Sequence, residues 1–135
     1  MKSHQLLREL GPALGQPRLR LDLEPSCVVT IGKKLHLELS YSSIEDSLYI
    51  CASLGLFHGD QRAKLFRVVL DANLDTGRLG GAHFSLDAPE NEILLCRTFS
   101  AQGQTPSSVM NEVSRFSGAW HAWRGQLREK LLISA

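Results

Sequence analysis

The stretch Gln61-Arg-Ala-Lys-Leu-Phe-Arg-Val-Val-Leu-Asp-Ala-Asn-Leu74 decides how this chain is read. At about 100° per residue, Leu65, Val68, Val69 and Ala72 gather on one side of a helix, and Ala63, Phe66, Leu70 and Leu74 on the other. Lys64, Arg67 and Asp71 separate the two on one flank, Arg62 and Asn73 do so on the opposite one, and Asp60 stands where an N-cap belongs. A surface helix needs one apolar face to cover its own sheet, so a second face asks for another apolar surface. The chain has 135 residues, too few to bury both faces readily. The helix is therefore expected at or near the two-fold axis of a homodimer, with Ala63, Phe66, Leu70 and Leu74 at the interface. The alternative is a central helix wrapped by its own domain.

Strands are expected before this helix. Residues 27–31 and 35–41 read as strands on either side of Gly32-Lys-Lys34, where glycine suits a tight turn. In the second of these, Leu35, Leu37, Leu39 and Tyr41 share one face, and His36, Glu38 and Ser40 the other. A third strand over 48–54 points Leu48, Ile50, Ala52 and Leu54 inward, yet its second face carries Tyr49 and Cys51 and is less polar than a solvated face. Further back, Leu19, Leu21 and Leu23 alternate with Arg18, Arg20 and Asp22, which is the period of an extended lead-in. The first element is an amphipathic helix over 3–14, with Leu6, Leu7, Leu10, Ala13 and Leu14 on one stripe and Ser3 as N-cap. Pro12 is expected to kink or loosen it near Gly11 before it stops at Gly15 or Pro17.

After the middle helix, residues 75–81 hold three glycines and form a turn-rich connection. Strands over 82–87 and 93–99 are joined through Ala88-Pro-Glu-Asn91, and the second has Leu94 and Cys96 opposite Ile93 and Leu95. Thr105-Pro106 opens a long helix whose stripe is Val109, Val113, Phe116, Trp120, Trp123, Leu127 and Leu131. The order α-β-β-β-α-β-β-α, with strands in hairpin-sized groups, gives an α+β fold: a twisted antiparallel sheet flanked by three helices in one domain over 1–135.

Composition excludes several classes. Lys plus Arg number 15 and Asp plus Glu 14, a formal charge of +1, so strongly electropositive nucleic-acid or membrane-surface binding is not the expected mode. Cys27, Cys51 and Cys96 are odd in number and lack a C-x-x-C pair, which suits thiols in a reducing compartment. Arg8 and Glu9 interrupt any leader, and no stretch approaches the ~20 apolar residues of a membrane span, so the protein is read as cytoplasmic.

No catalytic, cofactor-binding or metal-binding residue is assigned. His4, His36, His58, His83 and His121 are dispersed. Gly77-Arg-Leu-Gly-Gly81 precedes a strand and lacks the lysine of a phosphate loop, and no Gly-x-Ser-x-Gly elbow occurs. A small hydrolase or transferase would have to draw on a pair such as His83 and Asp87. Arg124, Arg128 and Lys130 beside Trp120 and Trp123 give nucleic-acid binding weak support, since the tryptophans lie on the apolar stripe. What remains is apolar surface beyond the needs of one small domain, the mark of a site for another polypeptide.

Several residues carry a more specific resemblance: Leu10-Gly11 and Leu14-Gly15 with Pro17, Leu19, Leu21 and Asp22; Cys27; Leu54-Gly55; Leu70-Asp-Ala-Asn-Leu74; Gly80-Gly-Ala-His-Phe-Ser-Leu-Asp87; and Ala122-Trp-Arg124. Their order and spacing resemble the class I effector chaperones of bacterial type III secretion, the Tir-chaperone-like family, over nearly the whole chain. Members are typically acidic, whereas this chain is near neutral, and Ser100-Ala-Gln-Gly103 replaces a more apolar stretch. The resemblance implies a homodimer without enzymatic activity or cofactor, which holds the N-terminal segment of a cognate effector in extended form in the bacterial cytoplasm, soluble and ready for export. It also implies contact with the secretion ATPase and no binding to nucleic acid or insertion into membrane. The expected effector contacts are Leu6, Leu10, Leu14, Leu35 and Leu37. A regulatory variant that sequesters a transcriptional regulator or anti-activator shares the same pattern.

Overall fold

The computed structural model of the chain describes residues 1–134. Its helices are α1 (Ser3–Ala13), α2 (Arg62–Asn73) and α3 (Pro106–Glu129), and its strands β1 (Ser26–Ile31), β2 (Leu35–Ser42), β3 (Ser47–Leu56), β4 (His83–Asp87) and β5 (Glu92–Ser100). The α-β-β-β-α-β-β-α order and the antiparallel sheet are those read from the sequence. Strand order is β1-β2-β3-β5-β4, which leaves β1 and β4 as edges. β1 pairs with β2 from Ser26↔Ser40 to Ile31↔Leu35, and β4 with β5 from His83↔Cys96 to Asp87↔Glu92. Gly32 turns the first hairpin at φ 66°, a conformation that costs glycine little.

The chain divides into two compact units, Met1–Ile50 with Thr98–Arg115, and Cys51–Arg97 with Phe116–Ala135. In the first, α1 buries Leu6, Leu7 and Leu10 in a core with Leu35, Leu37 and Leu39 of β2 and Val109 and Val113 of α3. In the second, Leu65, Val69 and Ala72 of α2 are buried, as are Leu54, Ile93, Leu95, Phe84, Trp120 and Trp123. Trp120 Nε1 donates to the Ser53 carbonyl at 2.9 Å, and Trp123 meets Phe84 edge to face at 5.2 Å. Among the described residues, no helix is long and apolar enough to cross a membrane.

Local details differ from the sequence reading. Ser3 is the first residue of α1 rather than its cap, because its hydroxyl is taken up by Asp46 Oδ2 at 3.1 Å. α1 continues through Pro12 to Ala13, since a proline so near the end forfeits only one hydrogen bond. The leucines at 19, 21 and 23 do not form an extended lead-in. The segment turns on itself: the Leu23 and Glu24 amides both donate to the Arg20 carbonyl, and Arg20 clamps Asp22 through two bonds of 2.9 and 2.7 Å. Asp60 does not cap α2, because a 3-10 turn, Gly59–Gln61, comes first. Thr105 does cap α3, its hydroxyl accepting from the Ser108 amide at 3.1 Å while Ser108 Oγ accepts from the Thr105 amide at 2.8 Å.

Candidate protein-binding surfaces

In the first unit the open feature is β1. An edge strand presents alternate N–H and C=O groups outward, and among the described residues no hydrogen bond covers those of β1. The other edge is treated differently. Asn73, the last residue of α2, donates through Nδ2 to the Phe84 carbonyl at 3.1 Å and accepts from the Phe84 amide at 2.7 Å, so β4 is already engaged at its second residue.

Apolar side chains accompany the open edge. Val28 on β1 is 69% exposed, and Leu23, just before it, 70%. A cavity of about 300 Å³ lies alongside, lined by His4, Leu7, Leu21, Asp22, Leu23, Pro25, Tyr41 and Ser43. The Asp22 side chain is only 4% exposed, and its hydrogen bonds from Arg20 hold its pKa below the usual carboxylate value. Nearby, Asp46 accepts from Tyr41 Oη at 2.8 Å as well as from Ser3. The Tyr41 bond is the main reason, and the Ser3 bond the next, that the Asp46 pKa is also lowered.

Of the five leucines expected to touch an effector, Leu6, Leu10, Leu35 and Leu37 are fully buried, and only Leu14 reaches the surface. The four form the floor that supports α1 and β2, because their periodicity marks a buried face without saying what buries it. The exposed Leu23 and Val28 lie outside that set of five. Leu23 looked like one more inward member of an alternating series, and Val28 carries a signal only in being apolar between the inward-facing Cys27 and Val29. Cys27 itself donates to the Leu39 carbonyl at 3.5 Å, and burial pushes its thiol pKa up, away from nucleophilic use.

In the second unit the two faces of α2 separate as the helical spacing requires. Leu65, Val69 and Ala72 point inward, whereas Leu70 is 66% and Leu74 90% exposed. Ala63 is exposed, and Phe66 is half-buried against Phe57, with ring centroids 5.9 Å apart. The second face of the sheet is also partly apolar here. Cys51 Sγ lies 3.1 Å from Cys96 Sγ, and Ser53 donates to Glu92 at 2.8 Å.

The geometry counts against the chemical alternatives. Four residues of extended strand hold His83 and Asp87 roughly 13 Å apart, too far for an acid–base pair. Among the described residues, no group of His, Cys, Asp and Glu could hold a metal ion. Both tryptophans that would have to stack on bases are buried.

Comparison with known proteins gives the surfaces a context. Residues 5–124 match the sequence model of the Tir chaperone protein (CesT) family. No curated protein matches the chain at the level of sequence. Among solved structures, a chain of the ExsC–ExsE complex is 20% identical with a TM-score of 0.74, over 98% of this chain and 94% of that one. A chain of the HopA1–SchA chaperone–effector complex is 18% identical with a TM-score of 0.72, over 90% and 91%. The Yersinia pestis type III secretion chaperone SycH, solved with a fragment of YscM2, is 19% identical with a TM-score of 0.63, over 90% and 98%. At these identities the likeness establishes the fold.

Proposed function

Because the chain belongs to the Tir chaperone protein (CesT) family, we propose that it is a type III secretion chaperone that works as a homodimer and holds the N-terminal segment of a secreted effector in extended form. The observation that carries this reading is the open β1 edge flanked by Leu23, Val28 and the adjacent cavity. An extended segment adds there as a sixth strand.

Magnitudes decide what else is needed. Ordering a residue costs about 1–2 kcal/mol, and a backbone hydrogen bond returns a net of about 0.5–1.5 kcal/mol. Strand addition alone therefore does not hold the segment. Each fully buried apolar side chain adds about 1.5–3 kcal/mol, so binding depends on side chains that cover Leu23, Val28 and Leu14 and enter the cavity. The effector stays unfolded along this stretch and its apolar residues are kept from aggregating.

Dimerisation falls to the outward face of α2, where Ala63, Leu70 and Leu74 are exposed and Phe66 is half-buried. Replacing Phe66 and Leu70 together by Glu should convert a dimer to a monomer in light scattering. A wild-type chain that is monomeric at micromolar concentration would remove the dimer from the proposal. The function is tested by deleting the gene in its native host. One or a few proteins should disappear from the type III secretome and fall in cellular abundance; an unchanged secretome refutes the reading.

A further inference from the structure

The second unit carries a groove that lies apart from the β1 edge and meets the proposed dimer face only at Ala63. It runs between the flank of α2 and the chain that follows α3, a cavity of about 640 Å³ lined by Ala63, Lys64, Arg67, Val68, Lys130 and Leu132. That volume lies within the range of sites that hold a ligand or a peptide's anchoring side chains. A second cavity of about 350 Å³ continues it through Arg67, Val68 and Lys130 to Arg78 and Trp123. The base is apolar, built from Val68, Leu132 and the Trp123 ring, with Arg78 5.8 Å above that ring.

The rim is cationic. Lys64, Arg67, Arg78 and Lys130 face one carboxylate, Asp71, which stands 3.9 Å from Arg78. Among the described residues, no ion pair engages Lys64, Arg67 or Lys130. The local surplus exceeds the +1 of the whole chain, so positive charge is concentrated at this groove while the remainder of the surface is net acidic.

We propose that this groove docks an acidic, amphipathic peptide segment of a partner protein, its carboxylates on Lys64, Arg67 and Lys130 and its apolar side chains over Val68 and Leu132. The argument does not rest on the strand-addition reading, because α2 and the chain after α3 build the groove without β1. A nucleic acid is the less suitable occupant. Its phosphates would use the few cations and leave the apolar base uncovered, and the Trp123 ring already has Arg78 over its face. The adjoining dimer face begins at Ala63, so each dimer would present two such grooves.

The test uses the full chain and a fluorescein-labelled peptide that alternates Glu with Leu and Phe. A peptide with Lys in place of Glu and a single-stranded oligothymidine serve as controls. The Glu peptide should bind, about tenfold more weakly in high salt, and at least about tenfold more weakly to Arg67→Glu/Lys130→Glu at unchanged molecular mass. If that variant does not fold, the neutral pair Arg67→Gln/Lys130→Gln decides, with a smaller loss expected. The proposal is overturned by no binding, by equal binding of the Lys peptide, by tighter binding of oligothymidine, or by variants that bind as wild type. It is also overturned if the variants change the mass instead of the affinity, since a second copy then covers the groove.

Discussion

Gly11 sits in the last turn of α1, where alanine is normally the better residue by up to about 1 kcal/mol. The structure predicts the opposite outcome for Gly11→Ala. An added Cβ would lie 2.4 Å from the Leu19 carbonyl oxygen and 2.6 Å from that of Gln16. Reaching even a 3.0 Å separation moves the first of these by at least about 0.6 Å. Both obstacles are backbone, so no side-chain rotation relieves them. The segment is also tied down, with the Gln16 amide donating to Gly11 at 2.7 Å and the Leu19 amide to Gln16 at 2.9 Å. Overpacking of this kind costs about 1–3 kcal/mol, and a backbone obstacle belongs near the upper end. Set against the propensity gain, the net loss is about 2 kcal/mol, a fall in Tm of roughly 5–10 °C for a chain of this size. Gly118 and Gly125 in α3 are the controls, since nothing lies within 4 Å of an added Cβ at either. Alanine there should stabilise by about 0.5–1 kcal/mol. Thermal and urea unfolding of the three variants reads the difference. A Gly11→Ala protein as stable as its parent would refute the close approach of the 16–19 segment to α1.

The remaining predictions concern the two edges and one carboxylate. Asn73→Ala removes both bonds to the Phe84 backbone and should cost about 1–3 kcal/mol, with faster hydrogen exchange confined to β4. Uniform exchange across the sheet would contradict it. Leu23→Glu/Val28→Glu should leave the unfolding midpoint within about 0.5 kcal/mol of wild type yet weaken effector binding at least tenfold in calorimetry; unchanged affinity would count against β1 as the docking edge. Asp46 has its pKa lowered by Tyr41 and then Ser3, so its stabilisation is full above the unfolded value of 3.8 and lost as pH falls through the folded value. Asp46→Asn should therefore be less stable than wild type at pH 7, with the difference closing as pH falls below 3.8 and through the lowered folded value. A gap that stays constant with pH would show that the loss comes from packing.

The fold was legible in the sequence because its signals were long and periodic. β2 alternates from Leu35 to Leu39 and β3 from Ser47 to Gly55, and α2 and α3 carry helical stripes, although Leu131, read as the last of the α3 stripe, lies past the helix end and is 77% exposed. Short polar features were less legible. Ser3 and Asp60 both had the chemistry of an N-cap, but Ser3 is engaged by Asp46, more than forty residues away, and Asp60 is displaced by a 3-10 turn. The site was only half legible for a related reason. Periodicity reports which residues share a face, so it found both faces of α2, yet it could not distinguish the buried Leu6 and Leu37 from the exposed Leu23. That difference depends on the Arg20–Asp22 clamp and on which strand ends at the edge. The clamp is a choice of side-chain partners and the edge a matter of sheet order, and neither shows in the spacing of the leucines.

The assembly of the two units from interleaved segments has a consequence for synthesis. The first needs Thr98–Arg115 to complete it, and the second needs the chain from Phe116 onward. The first half of α3 belongs to one and the second half to the other. A nascent chain that has already made β1 to β4 still lacks a segment that each unit requires. The two units are then completed almost together, so losing this helix to a stop codon or a protease would cost both at once.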